Sequence, residues 1–254
     1  MNSTELQPIQ EKNPNEQTDV VFLYALSVES APLEGMLKKS HTEDWHCCQL
    51  TFGRLGDLRV AVVQTGAGQK KAAKSARRVI NRLHPNLVYS VGFAGALNPE
   101  LERFQILDPV YPMNYQPANI IDVSTSSDSK KQWGLYTADH VVAKLSEKAR
   151  LFEKYGMDAV DMETDAVAEV CQDCGVELRC IRIISDDAKE ELPPDIENIL
   201  NQNSGAEQWG AALGALFRKP SRALDLIKLK NVSVQAAQTL AEHIVKMLEE
   251  AVDA

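Results

Sequence analysis

The run AVDMETDAVAEVC, Ala159 to Cys171, sets three carboxylates at the front of an otherwise apolar stretch. At helical period, Glu163 shares one face with Ala166, Val167, Val170 and Cys171. It therefore heads the stripe that should face the core. A carboxylate there is costly unless something pairs with it, and a ligand is one such partner. The plainer alternative makes Asp161 an N-cap and leaves Glu163 in the favourable first turn. Three other places put polar groups where predicted strands end. Glu29 follows VVFLYA, Gly92-Phe93-Ala94-Gly95 follows LVYSV, and Ser185-Asp186-Asp187 closes LRCIRIIS. Ligands of open α/β sheets bind at such carboxyl ends. Each also has a structural explanation. Ser185 and Asp186 can cap a helix, Glu29 can be a helix-start acid, and GFAG and TGAG can be tight turns with φ > 0. Neither glycine run matches a P-loop or dinucleotide fingerprint.

These positions need elements to hold them. Val20–Ala25, Arg59–Thr65, Leu87–Val91 and Leu178–Ser185 read as buried strands, with a further strand in ILDPVYP that Pro109 weakens. Helical patterns run from about Glu29 to Lys39, over Ala73–Leu83, around Glu147–Lys154 and through the opening run. Alternating strands and helices predict an α/β fold. Two apolar stripes make the C-terminal part helical: Trp209, Ala212, Leu213, Leu216 and Phe217, then Ala237, Leu240, Ala241, Ile244, Val245 and Leu248. Residues 1–19 are polar and read as a disordered tail. Residues 20–254 read as a single domain with a helical extension from about 195.

Composition narrows the class. Of 254 residues, 44% are apolar and 25% charged, as in soluble globular chains. The net charge of −9 argues against nucleic acid as a partner. No apolar run approaches the ~20 residues of a membrane span. The N-terminus lacks the apolar core of a secretory signal. Together with an odd count of five cysteines, this predicts reduced thiols in a cytoplasm. CQDC, Cys171 to Cys174, has no second pair to complete a zinc site and reads as buried structural cysteine, so no metal is expected.

In chain order, strand-A-x-x-x-E, TGAG-x-x-x-A, VGFAGAL, DAVDMET-x-A-x-A-x-V-C and IRIISDDA resemble the nucleoside phosphorylase and nucleosidase superfamily. They look most like its methylthioadenosine/S-adenosylhomocysteine nucleosidase branch, over roughly Val20 to Ala188. The resemblance implies a three-layer α/β/α fold around a mixed, partly barrel-like sheet. It also implies cleavage of the N-glycosidic bond of a purine nucleoside, by a homodimer, without metal or organic cofactor. By the same resemblance, Asp186 protonates N7 of the purine, which needs a raised pKa such as a partly buried strand end can supply. Glu163 accepts the ribose 2′ and 3′ hydroxyls, Met162 packs on the sugar, and Glu29 orients the attacking water. Val141 and Val142 match the segment that holds the purine. Ser185, Gly92 and Phe93 complete the substrate-binding set.

Hexameric phosphorylases of this superfamily carry an arginine and a serine for phosphate where this chain has Ser90 and Phe93. The anion clamp is missing, and Glu29 would repel phosphate. Hydrolysis of a 5′-substituted adenosine to release adenine is the expectation, with phosphorolysis as the alternative, since backbone amides alone can hold an anion. A ligand-binding module without catalysis is the non-enzyme alternative. The family's usual Gly-Asp is Gln105-Ile106 here, and GQKKAA is also atypical. LGALFRKPSRALDLIKLKN resembles the hopanoid-associated phosphorylase subgroup. Between Arg218 and Lys230 it carries five basic residues and one acid. A peripheral membrane contact through 209–230 is one reading; a solvated helix face is the other.

Overall fold

Five consecutive buried side chains, VVFLY, make β1 (Val20–Tyr24) a strand enclosed on both faces. In the computed structural model, which describes residues 18–46, 48–108, 110–112, 132–192 and 220–252, β1 lies inside a mixed sheet. It pairs in parallel with β4 (Leu58–Gln64) and with β5 (Leu87–Ala96). A hairpin extends this side: β3 (Cys48–Leu55) is antiparallel to β4, and β2 (Lys38–Trp45) is antiparallel to β3. β10 (Glu177–Asp186) runs parallel to β5 along nearly its whole length and also pairs with β6 (Ile106–Leu107). The last two residues of β5 pair antiparallel with β9 (Ala159–Asp161). From β9 the sheet continues in parallel through β8 (Trp133–Thr137) to β7 (Val110–Pro112). Thus β5 is shared by two branches, and the sheet splits there.

Helices cover both faces. On one, α2 (Gln69–Leu83) packs against α4 (Thr164–Cys174), over Val21, Leu23, Val79, Ile80, Val167 and Cys171. On the other, α1 (Ser27–Met36) packs against α5 (Pro220–Val252), over Phe22, Val62, Ile181, Ile183, Leu240 and Ile244. α3 (Leu145–Tyr155) adds a smaller cluster, Leu97, Val142, Leu151 and Val160. The result is the expected three-layer α/β/α arrangement around a mixed sheet. α4 stops at Gly175, whose φ of 67° is the left-handed cap that glycine adopts freely. Cys171 is fully buried, and burial pushes its thiol up to about 12, as suits a packing residue.

Several expectations need correction. The first helix ends at Met36, and Lys38–Trp45 is a strand. β2 is an exposed edge strand whose KKSHTEDW sequence has no apolar alternation to reveal it. The opening run is a helix only from Thr164; Ala159–Asp161 is a strand fixed by pairing with β5 and β8. GFAG lies within β5 and is no turn. Thr18 and Asp19 belong to the fold and not to a tail: Thr18 is buried, and Asp19 bonds Arg59. Residues 1–17, Pro109 and the Trp209–Phe217 stripe lie outside the described residues.

The second C-terminal stripe is buried as expected, Ala237, Leu240, Ala241, Ile244 and Leu248 all lying against the sheet. Leu240→Ala should cost about 2–5 kcal/mol, read from the urea midpoint. Val234, 49% exposed on the same helix, should tolerate alanine within about 0.5 kcal/mol.

Candidate active site

The split in the sheet makes the site. β1 pairs with β5 as far as Ser90, and β9 begins at Gly95. Between them, the edge of β5 is met by a side chain. The chain leaves β1, turns at Ala25 and Leu26, and enters α1, which brings Glu29 back against β5. Phe93 N–H donates to Glu29 Oε1 at 2.8 Å, and Leu26 N–H donates to Oε2 at 2.8 Å. Glu29 is 4% exposed. Burial raises its pKa, opposed by the Phe93 and Leu26 amides.

The glycines of GFAG supply clearance. A Cβ on Gly92 would stand 2.8 Å from Glu29 Oε1, and one on Gly95 would stand 3.0 Å from Asp186 Oδ2. Each glycine therefore admits one carboxylate to the strand. TGAG is the run that needs φ > 0: Gly66 has φ 83° and Gly68 has φ 93°. Gly68, at the start of α2, donates its N–H to Glu163 Oε1 at 2.7 Å. Glu163 is the residue just before α4 and makes no side-chain cap there.

Arg182, which the sequence reading passed over, ties the branches together. Its signal was a lone cation inside the apolar run CIRIIS. The side chain is 3% exposed. Nη1 donates to the carbonyls of Ser90 (2.8 Å) and Ile181 (2.9 Å). Nη2 donates to Ser90 Oγ (2.8 Å), Asp161 Oδ2 (2.9 Å) and Thr164 Oγ1. Nε has no protein partner among the described residues. Asp161 also accepts from Thr164 N–H (3.0 Å) and Thr137 Oγ1 (2.7 Å). It is thus the counter-ion of a buried arginine as well as a helix cap.

Glu29, Ser90, Gly92, Phe93, Glu163 and Arg182 line one cavity, with room for about one water. Asp186, Ser185, Met162, Val141 and Val142 are not in its lining. Asp186 is 5% exposed at the end of β10. Ser185 Oγ donates to its Oδ1 at 2.6 Å, and Lys148 Nζ donates to its Oδ2 at 2.6 Å. The carboxyl therefore has a buried cation beside it, where the sequence suggested burial alone. Val142 packs in the cluster with Leu97 and Val160; Val141 and Met162 are half-buried.

Glu163 is half-buried, and its pKa rises from 4.5 to about 8, first through burial and then through Asp161. An unfolded glutamate has lost its proton above 4.5, while the folded one keeps it to about 8. Between those values the unfolded chain binds fewer protons, so this group makes stability fall as pH rises. Glu163→Gln removes that slope. Its melting temperature should exceed wild type by about 2–5 °C at pH ~8 and match it near pH ~5. A melting temperature at pH 8 no higher than wild type would contradict the assigned burial.

The family model described as Phosphorylase superfamily matches residues 20–115 and 135–218. An aminodeoxyfutalosine nucleosidase of Campylobacter jejuni is 25% identical over 209 residues, 71% of this chain and 91% of that protein. A 5′-methylthioadenosine/S-adenosylhomocysteine nucleosidase of Bacillus pumilus is 26% identical over 216 residues, 72% of this chain and 92% of that protein. The solved Campylobacter jejuni 5′-methylthioadenosine/S-adenosylhomocysteine nucleosidase superposes with a TM-score of 0.64 at 20% identity, over 92% of this chain and 99% of that one. Helicobacter pylori futalosine hydrolase gives 0.64 at 19%, over 93% and 99%. At these identities the solved structures speak for the fold. The family model reaches from β1 past the end of β10, and on that match the chain belongs to the phosphorylase superfamily.

Proposed function

We propose that the chain is a purine nucleosidase that hydrolyses the N-glycosidic bond of a 5′-substituted adenosine and releases adenine. The observation that carries this is the placing of two buried carboxyls on one strand, Glu29 over Gly92 and Asp186 over Gly95. Both stand at the carboxyl ends of strands parallel to β5, Glu29 just beyond β1 and Asp186 closing β10, where α/β sheets bind ligands. The names of the relatives at about a quarter identity agree with it.

In this mechanism Asp186 gives its proton to N7 as the C1′–N9 bond breaks and its electron pair passes into the purine. A water in the cavity attacks C1′ and gives its proton to Glu29, whose raised pKa suits a base. Glu163 accepts the ribose hydroxyls, and Glu29 offsets positive charge on the sugar. Met162 packs on the sugar. Val141 and Val142 flank the base, and Ser185 fixes the Asp186 carboxyl. No metal or organic cofactor enters these steps.

Hydrolysis is favoured over phosphorolysis by the disposition of charge. Arg182, the cation of the cavity lining, spends both Nη groups on Ser90, Ile181, Asp161 and Thr164. Two carboxyls, Glu29 and Glu163, line the same space. The enzyme is read as a cytoplasmic homodimer. Methylthio, homocysteinyl and hopanoid 5′ groups are the candidates. A hopanoid substrate would give the basic segment 209–230 a membrane to approach. Of that segment, residues 209–219 lie outside the described ones, and no described helix is long and apolar enough to cross a membrane.

Adenine release from the three substrates should proceed at equal rates with and without phosphate, and one 5′ group should stand out in kcat/KM. Strict phosphate dependence, with a sugar 1-phosphate as product, would overturn hydrolysis. Asp186→Asn should lower kcat by at least ~100-fold with an unchanged circular dichroism spectrum. Near-wild-type turnover in that variant would remove Asp186 from the mechanism.

A further inference from the structure

Lys148 is fully buried, yet it sits on α3, whose other cations, Arg150 and Lys154, are exposed. A buried lysine is rare and costly unless each of its N–H groups is paired. Here each is. Nζ donates to Asp186 Oδ2 at 2.6 Å, to the Asp187 carbonyl at 2.8 Å and to the Glu190 carbonyl at 3.0 Å. Three hydrogens meet three acceptors. The two carbonyls belong to the chain just after β10, so the ammonium fastens α3 to that turn. Anchoring two carbonyls needs no charge. The third bond goes to the carboxyl that the mechanism uses.

We propose that Lys148 is a positioning residue for the proton-donation step, acting through Asp186 without touching substrate. Its part rests on the nucleosidase reading above, which makes Asp186 the acid. With Lys148 on Oδ2 and Ser185 Oγ on Oδ1, the carboxyl is held from both sides and its plane is fixed. When the proton passes to the purine, Asp186 is left as a carboxylate in a buried site. The ammonium already in contact stabilises that charge as it develops, and no group has to move. Ground-state binding of the nucleoside gains nothing from this, so the effect belongs in kcat.

The test is a double-mutant cycle on adenine release. Lys148→Met should lower kcat ~100-fold and leave KM within ~3-fold of wild type. Lys148→Arg, which keeps the cation, should recover at least ~10-fold of that loss. Lys148→Met combined with Asp186→Asn should be no slower than Asp186→Asn alone, because the two groups act as one unit. Should Lys148→Met not fold by circular dichroism, Lys148→Gln replaces it under the same criteria. The proposal is overturned if the uncharged variant keeps wild-type kcat, if the loss lies in KM, if arginine restores nothing, or if the two losses multiply. Wild type that releases no adenine, or Asp186→Asn with full activity, sinks the nucleosidase reading and this proposal together. Failure at Lys148 alone leaves that reading standing.

Discussion

Burying a carboxylate against a β-strand requires room beside the backbone and something to answer the charge. β5 meets that requirement twice within four residues. Gly92 gives Glu29 the room, and the Phe93 amide gives it a donor. Gly95 gives Asp186 the room, and Lys148 supplies the cation. The topology around β5 serves these two contacts. β1 ends at Tyr24, so its continuation can return as α1 with Glu29 near the helix start. β9 joins β5 only at Gly95, which leaves the intervening edge to Glu29. β10 stays paired with β5 to its end, and a register shift between Ile184 and Asp186 sets the acid opposite Gly95.

The branches meeting at β5 are coupled by one guanidinium. Arg182 of β10 bonds Ser90 of β5, Asp161 of β9 and Thr164 of α4. A buried ion pair of this kind adds little net stability, yet removing one partner costs about 3–5 kcal/mol because the other charge is stranded. The site and the frame therefore share the same interactions. Glu163 shows the other side of that arrangement. Burial, and after it the neighbouring Asp161, holds its proton to about 8, with the Gly68 amide as the opposing influence.

Much of this frame was legible in the sequence. The strands β1, β4, β5 and β10 are apolar runs, and the α2 and α5 stripes have clear helical period. The order of the acids and glycine runs pointed to the superfamily. What stayed hidden depends on pairing across the chain. β2 is polar because it is an exposed edge, so periodicity carries no signal there. β9 is three residues long, too short for any period, and its state is decided by β5 and β8. GFAG read as a turn because glycine's freedom at φ > 0 is a local property, while its missing Cβ matters only when a carboxylate approaches from elsewhere. Arg182 and Lys148 each stand as one charge among neighbours that fit a simple pattern. Only the partners brought by the fold, Asp161 and Asp186, give them a purpose.

The glycines of β5 make the room that the two acids need. Turnover of Gly92→Ala tests it most directly, with Gly35→Ala as the control, since a Cβ on Gly35 meets nothing within 4 Å. Gly92→Ala should displace Glu29 and lower kcat for adenine release ~100-fold, while Gly35→Ala should match wild type. Equal turnover by Gly92→Ala and wild type would contradict it.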